Sequence, residues 1–188
     1  MDMLWLALVS ALLILWYKDH QSLANQIASV NTRSNWSIQQ VLGQPDTPRA
    51  GDFGTAWASS LQDSGVEWLV VEFPRSVDVA KIQIEETYNP GAVNRVCSVD
   101  FTGRETEIWS GKDPTAVGSS RGSSMIVPSQ TINSRRLKIY LDSANVLGWN
   151  EIDAIALHGT DGSIQWATDA WASSSFGSNQ RLPSLFWP

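Results

Sequence analysis

Two kinds of hydrophobic pattern divide this chain. From Leu4 to Tyr17 the residues LWLALVSALLILWY carry no charge, bounded by Asp2 on one side and Lys18-Asp19-His20 on the other. From Ser29 onward that block gives way to short stretches in which apolar residues recur at every second position, the signature of half-buried strands. In EWLVVEF, Leu69, Val71 and Phe73 share a face, and Pro74 is expected to end the strand. In AKIQIEETY, Ile82 and Ile84 are in phase, but Val77 and Val79 fall in the opposite phase, which predicts a bulge near Ala80. Arg95 to Phe101 alternates with Cys97, Val99 and Phe101 on one side, and RLKIYLD alternates with Leu137, Ile139 and Leu141. DAIAL, Asp153 to Leu157, is the last strong strand. Clusters of Gly, Ser, Pro and Asp separate these runs, and Gly111 to Ser124 reads as a mobile surface loop. No amphipathic helix of 10–15 residues lies between the strands, so parallel βαβ units are disfavoured. The expected fold is all-β, an antiparallel jelly-roll sandwich preceded by a hydrophobic helix.

As a helix, the fourteen residues of the N-terminal block span about 21 Å against roughly 30 Å of hydrocarbon. A signal-peptide apolar region has this length, but a preceding positive region and a small-residue cleavage site are missing. Trp5 at one end and Trp16-Tyr17 at the other suit interfacial anchoring, so the first expectation is a membrane anchor over 1–18 followed by a neck over 19–28. A signal peptide is the alternative, and a helix buried in a soluble core ranks third. Lys18 votes for a cytoplasmic C-terminal side, and Asp19 beside it offsets that vote. The sandwich is then assigned to 29–159 and a docking tail to 160–188, ending in the apolar run LPSLFWP. AWASS occurs twice, at Ala56 to Ser60 and at Ala170 to Ser174.

The formal charge of −6 and scattered basic residues, with only Arg135, Arg136 and Lys138 close together, argue against nucleic acid. A single cysteine, Cys97, excludes an internal disulfide and reads as a small buried residue. Ten tryptophans suit cores, interfaces and sugar-stacking platforms alike. The two histidines, His20 and His158, and the absence of nucleophile or phosphate-binding motifs point away from catalysis.

Two segments carry the candidate chemistry. Asn89-Pro90-Gly91 is a turn in which Pro fixes φ and Gly accepts a positive φ, presenting Tyr88 and Asn89 at a rim. In GWNEIDAIALHG, period two places Glu151 and Asp153 on the side of Ile155 and Leu157, so two carboxylates point inward beside Trp149 and Asn150. Tyr88, Asn89, Trp149 and Asn150 are therefore the candidate ligand contacts. Buried carboxylates need a cation, an arginine or N–H donors. A structural calcium held by Asp46, Asp52, Thr55, Glu151 and Asp153 is one solution, and a hydrogen-bonded carboxylate network pinning the loops is the other.

WSIQQVLGQPD, GDFGTAWAS, EWLVVEF, ETYNPGAV and GWNEIDAIALHG together resemble the scarf-type sandwich domain of pappalysin metalloproteases. They are also similar to the discoidin-like domain of an F-box, leucine-rich-repeat protein and to related bacterial modules. The resemblance covers Ser29 to Gly159 and implies a galactose-binding-like jelly roll used for binding or assembly rather than catalysis. Distant relatives of that fold bind sugars through rim loops and hold a structural calcium. The matching positions here are Asp46, Asp52, Glu85, Tyr88, Trp149, Glu151 and Asp153. WASSSFGSN, from Trp171, resembles the segment that opens the sandwich in some relatives and suggests a truncated second copy. The expected function is a membrane-anchored accessory subunit of a larger protein complex, with a carbohydrate-binding module, on the extracytoplasmic side by family resemblance, as the alternative.

Overall fold

The computed structural model describes residues 33–177. The expected anchor and neck, and the LPSLFWP end, lie outside the described residues. Among the described residues no helix is long and apolar enough to cross a membrane.

Eight strands and two short 3-10 turns make an antiparallel, sheet-rich fold, as the galactose-binding-like resemblance implies. The strands are β1 (Val66–Tyr88), β2 (Val93–Val99), β3 (Glu105–Ser110), β4 (Gly122–Ile126), β5 (Asn133–Asp142), β6 (Glu151–Gly159), β7 (Ile164–Trp166) and β8 (Asp169–Ala172). β1 belongs to two pairings in succession. Its first half lies between β5 and β8, and beyond β5 come β2 and β3. Its second half lies between β4 and β6, with β7 at the edge.

Two irregularities let one strand serve both layers. Between Glu72 and Val77 the register with β5 shifts, since Glu72 pairs with Arg136 and Val77 with Ser134. Pro74 sits in this bend, exposed, where its missing N–H costs no ladder bond. The strand expected to stop at Pro74 therefore continues to Tyr88. Gln165 replaces the lost ladder here, its side chain accepting from Arg75 N and donating to Arg75 O at 3.0 and 3.2 Å. The second irregularity is the bulge anticipated from the phase change: Val79 pairs with Gly159 and Lys81 with His158, leaving Ala80 as the extra residue. Strands that switch sheets through bulges are the usual way to turn a sandwich corner.

The core lies between the layers. Leu69, Val71 and Phe73 from β1, with Leu137, Ile139 and Leu141 from β5, meet Ile82, Ile84, Ile126, Ile155 and Leu157. Each such side chain contributes about 1.5–3 kcal/mol on burial. Cys97 is buried, but it pairs with Lys138 while Val96 and Ser98 pair with Ile139 and Leu137. It therefore stands on the outer side of its sheet. Phe101, expected in phase with it, lies in the turn after β2 and is 96% exposed.

Two further differences concern boundaries. The sheet does not end at Gly159, because β7 pairs with β6 and β8 with β1; residues 160–177 are integral to the sandwich. The loop expected over 111–124 ends in β4, and its start is pinned: Asp113 accepts from Val93 N at 2.8 Å and from Ser124 Oγ.

Candidate functional site

At one end of the sandwich Trp36, Asp52, Ala58, Trp149, Glu151 and Phe176 line a pocket of about 100 Å³. Glu151 opens β6, pairs with Tyr88 in the ladder, and is 1% exposed. Its Oε2 accepts from Phe53 N at 3.3 Å and its Oε1 from Trp36 Nε1 at 3.2 Å. Trp36 Nε1 also donates to Asp52 Oδ1 at 2.9 Å, so one indole N–H joins the two carboxyls. Burial pushes Glu151 up to about 8; the Phe53 N–H and Trp36 oppose this, and the adjacent Asp52 charge adds to it. Glu151 thus holds its proton at neutral pH.

The aromatic walls are steeply inclined to one another. Phe176 meets Trp36 at 5.6 Å and 77°, and meets Trp149 at 5.6 Å and 81°. Edge-to-face geometry of this kind suits the ring quadrupoles and leaves ring surface open to a ligand. Trp36 has φ of +55°, a left-handed conformation costly for a bulky residue. Backbone bonds hold it there: Trp36 N donates to Gly54 O at 3.0 Å, and Trp36 O accepts from Ser175 Oγ at 3.1 Å. Gly54 permits this approach, since a Cβ there would lie 2.6 Å from the Asn35 side chain. Trp149 is fixed through Nε1 to Ser59 O at 3.1 Å.

The repeated AWASS segments meet beside this pocket. Trp57 Nε1 donates to Ser174 O, Ser60 N to Ser174 Oγ, and Phe176 N to Ala58 O. Phe176 and Trp36 were not among the sequence-derived contacts, and the repeat of AWASS, which ends at Ser174, did not point to either.

Of the expected ligand contacts, Trp149 lines the pocket, whereas Tyr88, Asn89 and Asn150 do not. Asn89 and Asn150 brace the rim. Asn89 Nδ2 donates to Trp149 O, and Asn150 Nδ2 donates to Asn89 O and Val146 O. The Asn89-Pro90-Gly91 turn has positive φ at Gly91, as expected, and also at Asn89, and Glu86 Oε1 accepts from Gly91 N.

The five residues expected to share a calcium fall into two places. Asp52 and Glu151 belong to the pocket. Asp153 instead accepts from Asp46 N and Thr47 N at 3.2–3.3 Å, with Arg121 at 3.8 Å, and Thr55 bonds Thr47. Burial raises Asp153 above its ordinary value against the pull of the Thr47 and Asp46 donors. Among the described residues no three His, Cys, Asp or Glu side chains gather as a metal-holding group. N–H groups and an arginine engage Asp153, the kind of contact the network alternative describes.

Glu85, another motif position, accepts from Gln83 Nε2 and Ser123 Oγ. Its neighbour Glu86 is 2% exposed and shares Ser124 Oγ with Asp113. Burial, then the Asp113 charge, push Glu86 up to about 8.

No protein-family model and no curated protein matches this chain. A similar solved structure is a Ruminococcus gnavus GH29 fucosidase in complex with fucose, at 15% identity and a TM-score of 0.45. The similarity covers 66% of this chain and 22% of the fucosidase chain.

Proposed function

We propose that this chain is a non-catalytic carbohydrate-binding module of galactose-binding-like, jelly-roll type, displayed from a membrane by the Leu4–Tyr17 segment. The observation that carries the reading is the rim pocket, in which three aromatic rings stand around two carboxyls. A sugar presents an apolar ring face and hydroxyls in its plane, so it needs an aromatic wall and polar groups at its edge. Against catalysis, both Glu151 oxygens are already engaged by Phe53 N and Trp36 Nε1, which leaves this acid supporting the site rather than addressing a bond to be cleaved. The resemblance to scarf and discoidin-like domains favours the same reading and the extracytoplasmic side.

Trp149→Ala is expected to lower affinity on a glycan array at least tenfold. The melting transition should persist, because Trp149 is half-buried and lies outside the core cluster. Undiminished glycan binding by the folded variant would dismiss the pocket.

A second reading, an accessory subunit docked on a membrane protein complex, is favoured by exposed apolar side chains beside the pocket. Leu61 and Leu147 are 65% and 79% exposed on loops joined by the Gly148 N to Asp63 Oδ1 bond. A stoichiometric partner recovered with the full-length protein in mild detergent would support this reading; recovery of the protein alone would count against it.

A further inference from the structure

The rim pocket has a charge asymmetry that narrows its ligand. Among the described residues, two that line the pocket are acidic and none is basic. The cations nearby are committed elsewhere: Arg49 stacks over the Phe53 ring at 4.9 Å, and Arg121 faces Asp153 and Thr47 O. The two carboxyls also differ. Glu151 is buried under the pocket with both oxygens engaged, while Asp52 is exposed and accepts through Oδ1 from the Trp36 indole. A neutral acid beneath an exposed carboxylate puts the accessible negative charge on Asp52, at the mouth of an aromatic enclosure.

Building on the carbohydrate reading, we infer that the pocket selects an amino sugar, whose ring stacks on the aromatic walls and whose protonated amine lies against Asp52. A free ammonium gains a charge-assisted hydrogen bond from the carboxylate and attraction to the ring faces. N-acetylation removes that charge, and a uronic or sialic acid sets a second negative charge against Asp52 with no basic side chain to receive it.

The test is calorimetry on the full-length chain in mild detergent with oligomers of glucosamine, of N-acetylglucosamine and of glucose, matched in length. Glucosamine oligomers are expected to bind about tenfold more tightly than either of the others. Because a net charge of −6 attracts any polycation, the comparison that matters is Asp52→Asn, which should erase the preference. Asp161→Asn, which removes the same charge at the Arg75 ion pair away from the pocket, should retain it. Equal affinity for the three oligomers, or a preference that survives Asp52→Asn, overturns the amino-sugar inference while leaving carbohydrate binding in place. No binding by any of the three, nor by a wider glycan array, overturns both.

Discussion

Glu151 and Asp153 lie two residues apart on β6 and are each 1% exposed, yet one lines a pocket and the other closes a clasp. Above Asp153 the loop at Asp46 and Thr47 closes with N–H donors and Arg121. Above Glu151 stands an indole shared with Asp52, flanked by Trp149 and Phe176, and a pocket remains. A buried carboxyl is costly in either place. Both carboxyls are engaged by N–H donors; what separates them is that one donor to Glu151 is an indole whose ring, with Trp149 and Phe176, walls a space.

The comparison breaks most sharply at Asp153. Asp153→Ala strands the buried Thr47 N–H, the partly buried Asp46 N–H and an arginine, and should cost about 3 kcal/mol in denaturant unfolding. A loss indistinguishable from zero would mean that the clasp does not hold the Asp46–Thr47 loop. The removal should leave sugar affinity of the folded fraction unchanged.

The next effect is a pH dependence. Glu86 and Glu151 sit at about 8 in the fold against an ordinary 4.5. A carboxyl raised in this way contributes its stability in full below about 4.5 and loses it as pH rises through about 8. Glu72 and Glu105 are shifted the other way: burial raises them, but Arg136 and Arg135, and Lys138 and Tyr140 respectively, outweigh it. Their contributions are lost only on acidification. The melting temperature should therefore fall between pH 5 and 9. Replacing both Glu86 and Glu151 by Gln should flatten that slope. Parallel pH profiles for the variant and the parent protein would contradict the burial argument.

The smallest effect marks the solvated limit. Asp161 pairs with Arg75 at 3.1 Å, with both side chains half exposed, and Arg75→Ala should leave the melting temperature where it was. A clear drop would show that the Gln165-braced bend also depends on this ion pair.

Much of this was legible along the chain. The phase reversal between Val79 and Ile82 can only be absorbed by an odd residue, and Ala80 is that residue. Glu151 and Asp153 are buried as period two predicted, but Ile152 between them is in the core as well and the register with β1 shifts there, so burial on both faces of β6 rather than alternation accounts for it. Pro74 misled because a proline ends a strand only where its N–H would have been used, and here it falls in an interrupted register. Phe101 misled because alternation continues on paper into a turn that tertiary pairing ends at Val99.

The sequence by itself determined the inward faces of Leu69, Val71 and Phe73 and of Leu137, Ile139 and Leu141, and where the long strand must kink, because both follow from the fixed two-residue repeat of an extended chain. Only the tertiary structure decided which buried carboxyl became a pocket floor. That choice depends on Trp36 and Phe176, brought together across the chain by bonds such as Ser175 Oγ to Trp36 O, 139 residues apart. No local pattern encodes such a meeting, because it is set by how the loops close over the ends of the sheets.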